Sequence, residues 1–423
     1  MLALCTADAV SIAQDGDRET AVQRNVQAAY ERRGNRPLWV DAQGRPTLVA
    51  WNVVSRLRSA GEDGLAEDDY QGADLEYEAG ALASEGRPAQ SDAAGFDAHL
   101  TASAVRYFRD LHLGRVNPRE LGFHLDHASD PHDFAAEVES VVSGRPLGAV
   151  VAGLRPPFIQ YQRFRQMLGS YREGDPERAR QIELAMERLR WLPDLQGEPL
   201  LVVNIPMFRV WGWGVERSDG TPSIEMSVIT GRARATRTPV FASRVTTMVL
   251  NPDWQVPNSI VRKEILPALD KDPNYLIRNH MTMTGDGRAL RVRQSPGPWN
   301  ALGQIKFVLP NVHSVFLHGT PAQELFKRDR RDFSHGCVRV EDPLALAEWI
   351  LGQDSEWTAE RLLAAIREGK THTIAVARQP RIVVFYMTAA FVPDEGVIRF
   401  VEDVYGHDAR LDAWLKAGKV RHP

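Results

Sequence analysis

Cysteine is scarce in this chain. Only Cys5 and Cys337 occur in 423 residues, far apart in the sequence. That excludes a disulfide framework and any zinc site built mainly from thiolates. Long apolar runs are also missing. The best candidate, Leu200 to Trp213, is broken by Asn204, Pro206 and Arg209, and no run is long enough to cross a bilayer. Neither sign of charge dominates: 51 basic against 55 acidic residues leave a net charge of -4. No global field therefore draws the chain to nucleic acid or to a membrane surface. Tandem repeats and low-complexity tracts are absent as well.

What remains is ordinary globular composition, 43% apolar and 25% charged, in a length that predicts two or three domains. Residues 1–20 have small side chains and a cleavage-like zone at Ala9 to Gln14, but no basic start. They read as the remnant of a signal peptide, which predicts export; a disordered start is the alternative.

Residues 21–195 predict a helical domain. The segment from Ala21 places Val22, Val26, Ala29 and Tyr30 on one face and closes at Gly34. A second helix, opened by Pro46, is expected to bury a stripe of Leu48, Trp51, Val54 and Leu57. A third stops at Gly114, and a fourth starts with Asp175 as cap and Pro176 in its first turn. The stretch HLDHASDPHD gathers His124, His127 and His132 among three aspartates. Its spacing matches no standard zinc pattern and Pro131 marks a loop, so no metal is expected there.

From about residue 196 the texture becomes short, β-branched and aromatic, as in LLVVNI, FRVWGW, IEMSVIT, VTTMVL, IKFVL and SVFLH. Helical DPLALAEWILG and AERLLAAIREG follow, then three more strand-like runs that include RIVVFYMTAAFV. Residues 196–423 thus predict a β-rich domain, and the whole chain an α+β architecture. A polar helix-and-loop insert at about 261–298 interrupts the strands and reads as a lid or binding loop.

Cys337 lies in FLHGTPAQELFKRDRRDFSHGCVRVEDP, with His318 upstream, His335 two residues before it, and five basic residues around it. A zinc reading lacks a fourth ligand. A buried structural thiol fits poorly with Gly336, His335 and Arg339 as neighbours. A nucleophile fits better, since cationic neighbours lower a thiol's pKa and Gly336 lets backbone N–H groups approach an oxyanion. His318, at a strand end before a short helix with Thr320 as cap and Gln323 closing a capping box, is the better general base.

His318, fifteen residues, then Ser334-His335-Gly336-Cys337 resembles the hallmark of the L,D-transpeptidase (YkuD-type) catalytic domain. Phrases such as VITGR, NPDWQVPNSI and SHGCVRVEDP are similar to its larger, YcbB-like periplasmic branch, and the helical half to that branch's scaffold domain. The resemblance implies a peptidoglycan L,D-transpeptidase that forms 3→3 cross-links through a Cys337 thioester. It implies His318 as base, oriented by the Gly319 carbonyl, with His335, Gly336 and Cys337 lining the oxyanion region. Substrate contacts are expected from Arg339, Ser334, Tyr275 and Trp299. For Arg339 a salt bridge inside the loop is the alternative, and for Tyr275 and Trp299 an anchoring role in the substrate-capping insert. The expected partners are tetrapeptide stems and cell-wall synthesis proteins in the periplasm of a Gram-negative bacterium, with no cofactor, no metal and no nucleic acid. Carbapenems are expected to acylate the thiol. The same acyl-enzyme would serve an L,D-carboxypeptidase or hydrolase, and a non-catalytic wall-binding scaffold is a further alternative. The peptidoglycan-binding domain that many relatives insert has no room between QMLGSYREG and DPERARQIE.

Overall fold

A computed structural model of the chain describes residues 18–84, 89–125, 131–195, 197–215, 221–352 and 356–417. Two compact units emerge: residues 1–194 with 387–423, and residues 195–386.

The first unit is mainly helical, with helices at 18–32, Leu48–Arg58, Gly72–Ala83, Gln90–Leu113, Phe134–Val142, Leu147–Leu154, Ile159–Gly174, Pro176–Leu189 and His407–Ala417. Local signals explain their ends. The Thr47 side chain accepts from the Ala50 N–H and that of Asp175 from the Arg178 N–H, satisfying donors left open in a first turn. Only Asp175 separates the two helices it joins. Helix Leu48–Arg58 buries Val54 and Leu57 of the expected stripe but not Leu48, and only half-buries Trp51. Ala50, Val53, Val54 and Leu57 face the core, and Leu48, outside that face, is 77% exposed. Of the HLDHASDPHD cluster, residues 126–130 lie outside the described residues. His132 packs against His112 and Phe134, and no metal-holding group of three acids, histidines or cysteines occurs among the described residues.

Residues 387–417 pack with these helices, whereas the sequence reading had placed them with the β-rich domain. RIVVFYMTAAFV, read as a single run, divides at residues 386–388 into two strands in different units. The second, Ala389–Val392, pairs with Val397–Phe400, and Gln160 both donates to the Phe391 carbonyl and accepts from its N–H, each at 2.7 Å. Arg188 to Asp408 and Arg180 to Asp412 fix the last helix to Pro176–Leu189. Both halves of the run are equally apolar, so hydrophobicity alone carries no sign of the division.

The second unit is built on a large sheet. Its strands are β1 (Leu200–Asn204), β2 (Arg209–Trp213), β3 (Ile224–Gly231), β4 (Phe241–Arg244), β5 (Thr247–Leu250), β9 (Ile305–Val308), β10 (Leu317–His318), β11 (Asp332–Ser334), β12 (Val338–Val340), β13 (His372–Ala375) and β14 (Arg381–Phe385). They run in the order β13-β5-β9-β10-β12-β3-β2-β1-β14-β4, with β11 paired to β3. Most pairs are antiparallel; β1–β14, β3–β11 and β10–β12 are parallel, and the last of these is the exception at the candidate site. That exception matters because those strands carry His318 and follow Cys337.

Between β5 and β9 the insert makes a subdomain of its own, with strands β6 (Trp254–Gln255), β7 (Met281–Thr284) and β8 (Arg291–Gln294) in the order β6-β8-β7. It is larger and more ordered than the polar loop expected at 261–298. Val256, Ile260, Val261, Ile265, Met281 and Val292 form its core. Asn300, fully buried, closes its neck by donating to the carbonyls of Pro252 and Ser295 at 3.0 and 2.9 Å. Residues Val261–Ile265 wind as a π-turn just before Pro267, which has no N–H to give back to the preceding turn.

Candidate active site

His318 is placed by sheet register. It pairs with Lys306 of β9 on one side and with Arg339 of β12 on the other. Paired residues project to the same face, so the imidazole sits in a row between two cations. It is 5% exposed, and its Nδ1 donates to the Gly319 carbonyl at 2.6 Å. That bond assigns the proton to Nδ1 and leaves the Nε2 lone pair available. Burial, then Arg339 and Lys306, push its pKa down to about 3 against the pull of the Gly319 and Leu302 carbonyls. His318 is therefore a neutral imidazole at any pH near neutrality. The bend at Gly319 depends on Gly303, whose α-carbon stands so close that a β-carbon there would lie 2.6 Å from the Gly319 carbonyl carbon.

Cys337 immediately precedes β12. The Val338 N–H donates to the carbonyl of Phe316, the residue before β10, at 3.1 Å, so the thiol sits alongside that strand, and the Phe316 and His318 rings lie 5.5 Å apart. The thiol's Sγ lies 3.9 Å from the Ser314 carbonyl. Burial raises its pKa above the ordinary thiol value, and Phe316, Lys306 and Arg339 offset this only in part. The expected depression of the thiol is thus overridden by desolvation. The resting pair is thiol and imidazole, not thiolate and imidazolium.

The field at the thiol does not come from the basic run at 327–331. Arg331 donates to the carbonyls of Phe208 and Arg328, and Arg330 pairs with Asp332. Lys306 and Arg339 act instead. Lys306 has a signal in the sequence, a cation inside the otherwise apolar strand IKFV.

The nucleophile loop is braced from behind. Ser334 is 2% exposed, and its hydroxyl donates to the Cys337 carbonyl at 2.5 Å and accepts from the Gly336 N–H at 3.1 Å. Thr236 donates to the Ser334 carbonyl and Thr238 to the Gly336 carbonyl, at 2.9 and 2.8 Å. Two expected roles change. Ser334 has no hydroxyl left for substrate, and the Gly336 N–H is occupied by Ser334. The Cys337 N–H, like that of His335, has no partner among the described residues and is a backbone donor open to an oxyanion. Gly336 still matters, because its φ of +116° is one that glycine adopts without strain.

The other candidates are dispersed. His335 Nε2 lies 2.6 Å from Glu264 of the insert's π-turn, so its side chain faces the insert. Tyr275 packs on the insert's core. Trp299 stacks on His280 at 3.7 Å between ring centroids and covers Gly297, where a β-carbon would lie 2.4 Å from the indole. The aromatic pair anchors the insert. Arg339 forms no ion pair among the described residues, and its Nε is buried without a hydrogen-bond partner, so the salt bridge weighed from sequence is not made. The capping box after His318 also differs. Thr320 accepts from Ala322, and the 3₁₀ turn begins only at Gln323, whose side chain donates to the Thr320 carbonyl.

Comparison with known proteins gives two family matches. Residues 24–168 match the scaffold domain family, and residues 198–376 match the YkuD family, the L,D-transpeptidase catalytic domain. A Haemophilus influenzae protein named "Putative L,D-transpeptidase" is 32% identical over 249 residues, which cover 54% of this chain and 49% of that protein. The chain thus spans about half the length of the curated relative it matches. The solved structure titled "Structure of the Ldtfm-avibactam carbamoyl enzyme" is similar over 46% of this chain and 50% of that one, at 12% identity. Its TM-score of 0.20 is too low to carry an argument about fold.

Proposed function

The chain carries a YkuD-type L,D-transpeptidase catalytic domain, and on that premise we propose that it forms 3→3 cross-links between peptidoglycan stems through a thioester on Cys337. The observation that carries this reading is a neutral, carbonyl-oriented His318 on the strand beside the thiol. His318 takes the thiol proton as Sγ adds to the carbonyl joining the third stem residue, a diaminopimelate, to the terminal D-alanine. The oxyanion meets the Cys337 N–H. Collapse breaks the C–N bond, and His318 returns the proton to the departing amine. Neutral His318 then takes a proton from the side-chain amine of a second stem as that amine attacks the thioester, and hands it to the leaving thiolate.

Holding the resting pair neutral has a use. A thiol above its ordinary pKa and an imidazole far below its own do not exchange a proton before a carbonyl is in place. Such a site protects its nucleophile in the periplasm, where this chemistry would operate beside other cell-wall synthesis proteins.

Purified disaccharide-tetrapeptide offered to the protein, with products read by mass spectrometry, tests the reading. A cross-linked dimer lacking one D-alanine supports it. Tripeptide monomer alone would mean that water is the acceptor, as in a carboxypeptidase. Full activity in Cys337→Ala would end the thioester mechanism.

A further inference from the structure

The helical unit holds a cavity of about 350 Å³ that the reaction above does not use. Every residue lining it belongs to that unit. Its volume is in the lower part of the range of small-ligand sites. The loop from Gly61 to Asp68 forms one wall, faced by Arg115, Arg172, Arg180 and Glu183. The wall is fixed without a ligand. Asp63 in that loop is fully buried, its carboxylate meets Arg155 and Arg165, and its carbonyl accepts from Arg190. Gly64 ends the turn at a φ of +69°, which glycine adopts without strain. Arg172 donates to the Gly61 carbonyl at 2.8 Å, and Arg115 is held by its N–H on Glu187 and its guanidinium on Asp69.

The lining indicates the class of ligand. Three arginines face four acids, Glu67, Asp68, Glu183 and Glu187, so the cavity has no excess of positive charge to gather an anion. Hydrogen-bonding groups of both kinds stay open. Arg180 uses Nε on Asp412 and Nη1 on Glu183, and its Nη2 has no partner among the described residues. Arg115, its side chain only 9% exposed, keeps an Nε without one. The exposed Asp68 carboxylate is likewise unengaged among the described residues. Leu65 and Leu415 add apolar surface. Hydroxyl groups both give and take hydrogen bonds, so they suit open donors beside open acceptors at nearly balanced charge. A pyranose ring carries them on its edge and presents apolar C–H groups on its faces.

We propose that this cavity is a saccharide-binding site of the helical unit. Its occupant is the glycan to which the peptide stems are attached, a choice that rests on the transpeptidase reading above. The sugar is held by its neutral hydroxyls, with Arg180 donating and Asp68 accepting. Such binding depends little on ionic strength, whereas attraction of an anion is screened by salt.

The test is calorimetric titration of the full chain with the N-acetylglucosamine tetramer, with hydrogen exchange to locate the site. Wild-type protein is expected to bind it, to gain protection at residues 61–68, and to keep its affinity as salt is raised. Arg180→Lys keeps a charge between Glu183 and Asp412 but loses Nη2, and Asp68→Ala removes an exposed acceptor. Each is expected to weaken binding by about tenfold, as for one hydrogen bond to a charged group. Acylation of Cys337 by a sugar-free tetrapeptide is expected to stay at the wild-type rate in both. No binding by wild type, no protection at 61–68, or unchanged affinity in both variants would overturn the site while leaving the thioester reading standing. So would inorganic phosphate binding there in place of the saccharide and weakening with salt. Saccharide binding by a protein whose Cys337 no stem acylates would overturn the transpeptidase reading and, with it, the wall glycan as occupant.

Discussion

His335 of the nucleophile loop and Glu264 of the insert meet at 2.6 Å, Nε2 to Oε1. The side chain of the histidine two residues before Cys337 thus faces the subdomain that lies between β5 and β9. The contact ties a loop fixed by threonines to a π-turn that owes its shape to Pro267.

Glu264→Gln weakens this tie. The pair is part-exposed, with side-chain exposures of 45% and 29%, so the cost to global stability is expected to stay within about 1 kcal/mol. Faster hydrogen exchange confined to residues 254–298, with little change in Tm, is the expected result. Unchanged exchange would show that the insert is held by its neck alone.

Gly303→Ala probes the orientation of His318. The glycine has a φ of +64°, and a β-carbon would press on the Gly319 backbone at 2.6 Å. Strain of roughly 1–3 kcal/mol is expected, together with a loss of acylation larger than the loss of stability explains. Denaturant unfolding and acylation rates on the same preparation check this.

Thr238→Val removes a buried hydroxyl that accepts from the Gly231 N–H and donates to the Gly336 carbonyl, both at 2.8 Å. Leaving those two groups unpaired is expected to cost about 1–3 kcal/mol. Acylation of Cys337 by disaccharide-tetrapeptide, read by intact mass, should slow in parallel. Acylation at the wild-type rate would show that the loop holds its shape without this brace.

Acid should reveal His318. Its folded pKa is about 3, below the unfolded value near 6.5, so between those limits the unfolded chain binds the extra proton. Stability contributed in this way is present above pH 6.5 and is lost as the pH falls toward 3. The loss is on the order of a few kcal/mol. His318→Gln is expected to flatten the fall in Tm over that window relative to wild type; parallel curves would contradict the buried neutral imidazole.

The sequence by itself determined Cys337 and His318 as the candidate pair and the fifteen residues between His318 and the Ser334–Cys337 motif, because these are local patterns of residue types. It also determined the change from helical to β-rich texture, since period and β-branching are written into each segment. Only the tertiary structure decided what answers the thiol. Lys306 lies 31 residues from Cys337 and reaches the thiol through strand register, and Glu264, 73 residues away, reaches the neighbouring His335 from an inserted subdomain. It also decided that the Cys337 thiol, expected to have its pKa lowered by its neighbours, has it raised, because burial is a property of the packed fold and here it outweighs the charges around it.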